Sequence, residues 1–120
     1  MAKQTEWAWS AGFLDGEGYF HATKRQHYIT KDGSLGHVKN KSRFLITVAQ
    51  SDTRVLKRLQ KVIGGSISGP YTYPPSKPYW NLAVCTNADA VFKKLLPYLP
   101  PVKKAQGKAA IIKVKELNAL

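Results

Sequence analysis

Acid and sulfur are scarce in this sequence. It has one cysteine, one methionine and only seven Asp and Glu among 120 residues. A lone Cys85 excludes an internal disulfide framework and leads us to expect a reducing compartment. The apolar runs fall far short of the roughly 20 residues that a membrane-spanning helix needs, so no membrane partner is expected. The opening "MAKQTEWAWS" has one lysine and no apolar core, unlike a secretory leader. No low-complexity segment or composition shift divides the chain. A single domain over residues 1–120 is expected, long enough to bury a core without cross-links.

Base is abundant where acid is not. Nineteen Lys and Arg give a formal net charge of +12. They are spread along the chain, which describes a folded basic surface rather than a tail. Such a surface draws polyanions, nucleic acid first among them. An anionic membrane, an acidic protein partner or simple solubility are the other readings, and no basic amphipathic helix of the membrane type stands out.

Patterning predicts alternating elements. Thr5 and Glu6 read as a helix start, followed by the apolar positions Trp7, Ala8, Ala11, Phe13 and Leu14, with Gly16 and Gly18 ending the helix. From Tyr19 to Thr30 the period becomes two: Phe20 and Ala22 on one face, His21, Thr23, Arg25 and His27 on the other. "KDGSLG" is turn chemistry around Asp32-Gly33, and "KSRFLITVAQ" returns with Phe44, Ile46 and Val48 inward and Arg43 and Thr47 outward. Asp52 or Ser51 caps a second helix that runs to Ile63 and stops at Gly64-Gly65. "SISGPYTY" and "YWNLAVCT" form a second hairpin. Asn87 caps a third helix ending at Pro97, "YLPPVKKAQGK" reads as a loop, and a fourth helix follows. This α-β-β-α-β-β-α order is an α+β arrangement: a four-stranded antiparallel sheet with helices on one face and a polar, basic opposite face. A face of that kind can lie on DNA and read base edges in the major groove, or it can simply be solvated.

The stretch "SAGFLDGEGYF" puts Asp15 and Glu17 near a helix C-terminus, where the helix dipole disfavours negative charge. A bound divalent cation reverses that penalty. Mg²⁺ takes one or two protein carboxylates and completes its shell with water and phosphate. The bland alternative is a pair of solvated turn residues. Ala8, Gly12 and Gly16 recur every four residues, a smooth stripe against which a helix can pack closely, either in the same chain or in a second copy.

"SAGFLDGEG" resembles the signature of the LAGLIDADG homing endonucleases. Ser10 stands where the signature has its first Leu, Ala11, Gly12 and Asp15 match, and Phe13, Leu14 and Gly16 are common variants. The likeness extends over about Trp7 to Lys113. It implies the αββαββα homing-endonuclease fold and a site-specific double-strand DNA endonuclease that needs divalent metal: Mg²⁺, replaceable by Mn²⁺, with Ca²⁺ supporting binding without cleavage. Glu17 takes the metal-binding position. "VAQSDTR" resembles the segment that gives Gln50 to the active-site water and Arg54 to the scissile phosphate. "PYLPPVKKAQ" resembles the loop ending in K-K-x-Q, putting Lys103 at the catalytic lysine position with Lys104 as the alternative. Asp15 is expected to support the helix-to-strand turn. A single signature implies a homodimer through the first helix, with Ala8, Gly12 and Gly16 at the interface, acting on a long near-palindromic site in double-stranded DNA. His21, Thr23, Arg25, His27, Arg43, Thr47, Ser66, Ser68, Tyr71, Tyr73, Tyr79 and Asn81 are expected to contact DNA. Such proteins are intron-encoded, in bacterial or phage-infected cytoplasm or in organelles. A non-cleaving RNA maturase or DNA-binding regulator on the same fold is the alternative.

Overall fold

The computed structural model describes residues 3–24, 26–29, 32–33 and 35–119, with backbone alone for 26–29 and 35–40. Helix α1 (Gln4–Glu17) starts two residues earlier than the Thr5 cap predicted. Lys3 is its N-cap, and the Glu6 carboxylate accepts from the Lys3 backbone N–H at 3.4 Å. Strand β1 (Gly18–Ala22) follows at once. The outward-inward alternation predicted one strand to Thr30, but β1 ends at Ala22. There the Thr23 N–H donates to the Arg43 carbonyl and the Arg43 N–H to the Thr23 hydroxyl, at 2.9 and 2.8 Å. Strands β2 (Gln26–Ile29) and β3 (Leu35–Asn40) then pair with each other as a separate two-stranded ribbon about the Asp32-Gly33 turn.

Strand β4 (Phe44–Gln50) returns beside β1. Helix α2 (Thr53–Ile63) begins at the predicted Asp52 cap, whose carboxylate accepts from the Arg54 N–H, and stops at Gly64 and Gly65, both at positive φ. Strands β5 (Ser66–Tyr71) and β6 (Tyr79–Val84) complete an antiparallel sheet of order β1-β4-β6-β5. Helix α3 (Ala88–Leu95) and a 3₁₀ turn (Leu96–Tyr98) lead to α4 (Pro101–Asn118).

Helix α4 absorbs the segment read as a loop. Pro101 lies in its first turn, where a missing N–H costs nothing. The helices cover one face of the sheet. Leu14, Leu56, Leu59, Phe92 and Leu95 meet Phe20, Ile46, Val48, Leu82 and Val84 in one core. Phe92 packs edge-on against Phe20 and Phe44, with ring centroids 5.2 and 5.6 Å away. Gly107 lets α4 settle onto this cluster, since a Cβ there would run into the Phe92 ring. Among the described residues the opposite face of the sheet carries no helix layer.

Candidate active site and nucleic-acid interface

Asp15 and Glu17 occupy the last turn of α1. Both are exposed, no basic residue of α1 shares that turn, and among the described residues neither carboxylate has a hydrogen-bond or ion-pair partner. The cation at this helix end comes from elsewhere. Lys103, on the first turn of α4, donates from Nζ to the carbonyl of Gly18 at 2.7 Å, next to Glu17. One turn on, the Gln106 side-chain oxygen accepts from the Phe20 N–H at 3.0 Å. The "KKAQ" segment is thus clamped to the α1–β1 junction at two points, and the contact to Gly18 falls to Lys103 rather than Lys104. Gln106 is the last residue of the K-K-x-Q segment. Its clamp follows from the helical spacing of residues 103 and 106, which becomes visible once α4 is known to start at Pro101.

Gln50 ends β4. Because Gly18 pairs with Val48, Gln50 lies at the Glu17 end of the sheet. Its Oε1 accepts from the Ser51 N–H at 3.1 Å, and its side-chain NH₂ has no partner among the described residues. Arg54 has another partner. Its Nε and Nη2 both reach the Asp52 carboxylate at 3.2 Å. That hydrogen bonding holds the Asp52 carboxyl below the usual carboxylate range. The pair is open to water and so holds Arg54 only weakly.

The open face of the sheet carries much of the predicted reading set. His21, Thr47, Asn81, Ser66 and Ser68 all alternate with core residues in the strand registers. His21 Nε2 lies 3.3 Å from the Thr47 hydroxyl, and burial pushes its imidazole below the ordinary histidine range. At the β5–β6 tip, Tyr71 and Tyr73 both pack on Tyr79, and the Tyr71 hydroxyl donates to Ser68 Oγ at 2.9 Å.

Two expectations change. Arg43 was placed on the polar sheet face. Its guanidinium instead donates to Cys85 Sγ at 3.4 Å and lines a cavity with Asp89 of α3 and Ile111, Val114 and Lys115 of α4. Thr23 uses its hydroxyl to close the β1–β4 ladder. Arg25 and the His27 side chain lie outside the described residues. Sequence reasoning missed Tyr19, which is 55% exposed beside Glu17 and on the His21 face. The alternation that selected His21 also selects Tyr19.

Ala8, Gly12 and Gly16 are exposed, and a Cβ built at Gly12 or Gly16 meets nothing within 4 Å. Intrachain packing of α1 uses the other side of the helix, where Ser10, Ala11 and Leu14 are buried. The small-residue stripe therefore serves no contact within the described chain.

A profile described as LAGLIDADG endonuclease matches residues 10–109. This chain belongs to that family. It is 31% identical over 118 residues to the DNA endonuclease I-CvuI of Chlorella vulgaris, covering 95% of this chain and 66% of that relative's length. The structure of homing endonuclease I-CvuI with its DNA target and calcium matches at 29% identity and a TM-score of 0.62, over 95% of this chain and 68% of that one. Another I-CvuI structure holds uncleaved DNA in the presence of magnesium. The intron-encoded homing endonuclease I-CeuI, solved with DNA, shares the fold at 17% identity and a TM-score of 0.62, over 100% of this chain and 56% of that one.

Proposed function

We propose that this chain is a site-specific, divalent-metal-dependent DNA endonuclease that works as a homodimer through α1. The observation that carries this reading is a Glu17 carboxylate with no partner among the described residues, directly preceding Gly18, whose carbonyl takes the Lys103 ammonium at the edge of an open polar sheet face. Among the described residues no cluster of three His, Cys, Asp or Glu could hold a metal by itself. One carboxylate per chain nevertheless fits Mg²⁺, which binds through one or two carboxylates plus water and phosphate. Glu17 and its counterpart in a second copy would hold the ion, and Asp15 would support the turn. Mg²⁺ is the expected ion, Mn²⁺ a substitute, and Ca²⁺ an ion for binding without cleavage.

The bound ion supplies Lewis-acid stabilisation of charge on the phosphate and on the leaving 3′ oxygen. Gln50 offers its side-chain NH₂ to orient the attacking water. Lys103 has two N–H donors beyond the one on Gly18, and these meet phosphate charge. Arg54 adds to that charge when it swings from Asp52. His21, Thr47, Asn81, Ser66, Ser68 and the tyrosine cluster face the bases and backbone. The exposed Ala8-Gly12-Gly16 stripe supports the dimer, because a second α1 is the surface it fits.

Incubation with random double-stranded DNA libraries in Mg²⁺, Mn²⁺ and Ca²⁺ tests the reading. Double-strand cuts at one near-palindromic site in Mg²⁺ and none in Ca²⁺ are expected. Affinity should drop with a log–log salt slope of about −0.9 per phosphate contacted. Binding without cleavage in every ion would instead select a regulator or maturase.

A further inference from the structure

Resting on that endonuclease reading, we propose that Tyr19 is a positioning residue: its ring holds the Lys103 ammonium in place to meet the phosphate. Tyr19 directly follows Gly18, whose carbonyl takes the ammonium at 2.7 Å, and the ammonium lies 5.9 Å from the centre of the Tyr19 ring. The Tyr19 ring also meets the His21 imidazole, with centroids 5.4 Å apart, and His21 in turn meets Thr47 at 3.3 Å. One aromatic ring therefore contacts both Lys103 and the His21–Thr47 pair.

The physics gives the ring work to do. A lysine side chain has four rotatable bonds and loses considerable rotamer entropy when fixed. The Gly18 carbonyl orients one N–H, and the ring face restricts the rest of the ammonium without using up a donor. That leaves the other two N–H groups for phosphate. A cation over an aromatic ring gains more when water is excluded, which is the condition once DNA covers this face. Tyr19 is 55% exposed and its hydroxyl has no partner among the described residues, so the fold does not account for its size or its polarity.

The test compares Tyr19→Ala, Tyr19→Phe and Lys103→Met. Single-turnover cleavage should fall roughly tenfold in Tyr19→Ala, within the range for partly desolvated cation–π contacts, while DNA affinity in Ca²⁺ and the melting temperature stay near wild type. Tyr19→Phe, which keeps the ring, should restore most of the rate. In a Lys103→Met background Tyr19→Ala should cost nothing further, as expected of two residues that act through one interaction. Additive losses, or Phe as damaging as Ala, would overturn the proposal. A second readout needs no cleavage. Acylation of the folded protein by an N-hydroxysuccinimide ester, followed by mass spectrometry, should show Lys103 reacting severalfold faster relative to Lys104 in Tyr19→Ala but not in Tyr19→Phe. Unchanged Lys103 reactivity overturns the contact whatever the activity. A wild type that cuts no DNA, with the reactivity change present, supports the contact and overturns the endonuclease reading instead.

Discussion

Helices α1 and α2 pack on the same sheet, but α2 has acid only at its N-terminal end, whereas α1, besides Glu6 in its first turn, also has acid in its last turn. At α2 the acid is Asp52, on the N-cap, where its carboxylate accepts from the Arg54 N–H and pairs with the Arg54 side chain. Dipole, cap and ion pair all favour it there. At α1 the acids in the last turn are Asp15 and Glu17, where the dipole opposes them and neither carboxylate has a partner among the described residues. The other exposed features differ in the same way. Arg58 of α2 lies over the Trp9 ring at 3.7 Å, a contact within the chain, whereas Ala8 of α1 is exposed and a Cβ at Gly12 or Gly16 would meet nothing within 4 Å among the described residues. Helix α2 is explained by the fold it belongs to. Helix α1 has two terminal carboxylates and a face that make no contact among the described residues, and these are features that a cation, a phosphate and a second copy would use.

Replacing each acid separately breaks the comparison most directly. Glu17→Gln keeps the shape and removes the charge. Cleavage should fall by several orders of magnitude, DNA affinity should hold or rise, and the melting temperature should hold or rise slightly because a disfavoured charge has gone. Thermal melts, gel shifts in Ca²⁺ and cleavage in Mg²⁺ on the same preparation decide it. Near wild-type cutting would show that Glu17 is an idle turn residue.

The stripe gives the next largest effect. Gly12→Leu has room inside the chain, so the monomer fold should survive. Between two helices the added side chains overpack, at about 1–3 kcal/mol for each. Sedimentation should show a dimer turned into a monomer at micromolar concentration, with double-strand cutting lost. A wild type that is already monomeric and fully active at that concentration removes α1 from the interface.

The parts of this contrast differed in how legible they were in the sequence. The Asp52 cap and the Gly64-Gly65 stop were readable because capping and positive φ are local chemistry. The "DGEG" acids stood out because they break a local rule. The junction of α4 was not readable, since "LPPVKK" looks like a helix breaker and Pro101 works as a helix starter only if the chain before it is already extended. Lys103 and Gln106 thus reached the α1–β1 junction by a tertiary contact 85 and 86 residues away in sequence. Nor does alternation reveal where a strand changes partner, so β1 and β2 looked continuous. Arg43 followed the period of β4, but at a strand end the side chain is free to bend toward Cys85 and the helices.

The smallest expected effect lies at α2. Asp52→Ala removes an acid that the fold uses, so it should lower the melting temperature by a few degrees and leave cleavage per folded molecule close to wild type. It should also change the response to acid. The Arg54 hydrogen bonds lower the Asp52 carboxyl in the folded state, so the native state binds its proton less readily than the unfolded chain. The stability this gives is fully present above the unfolded carboxylate range, near pH 4, and is lost as pH falls through the lower folded value. Wild type should therefore exceed Asp52→Ala in melting temperature at pH 7, and the gap should narrow on acidification below about pH 4. Glu17→Gln, compared with wild type over the same range, should show no stabilising role for Glu17 at neutral pH. Equal destabilisation of both variants at pH 7 would mean that the two helix ends use their acids alike, and the distinction between a structural and a functional carboxylate would be lost.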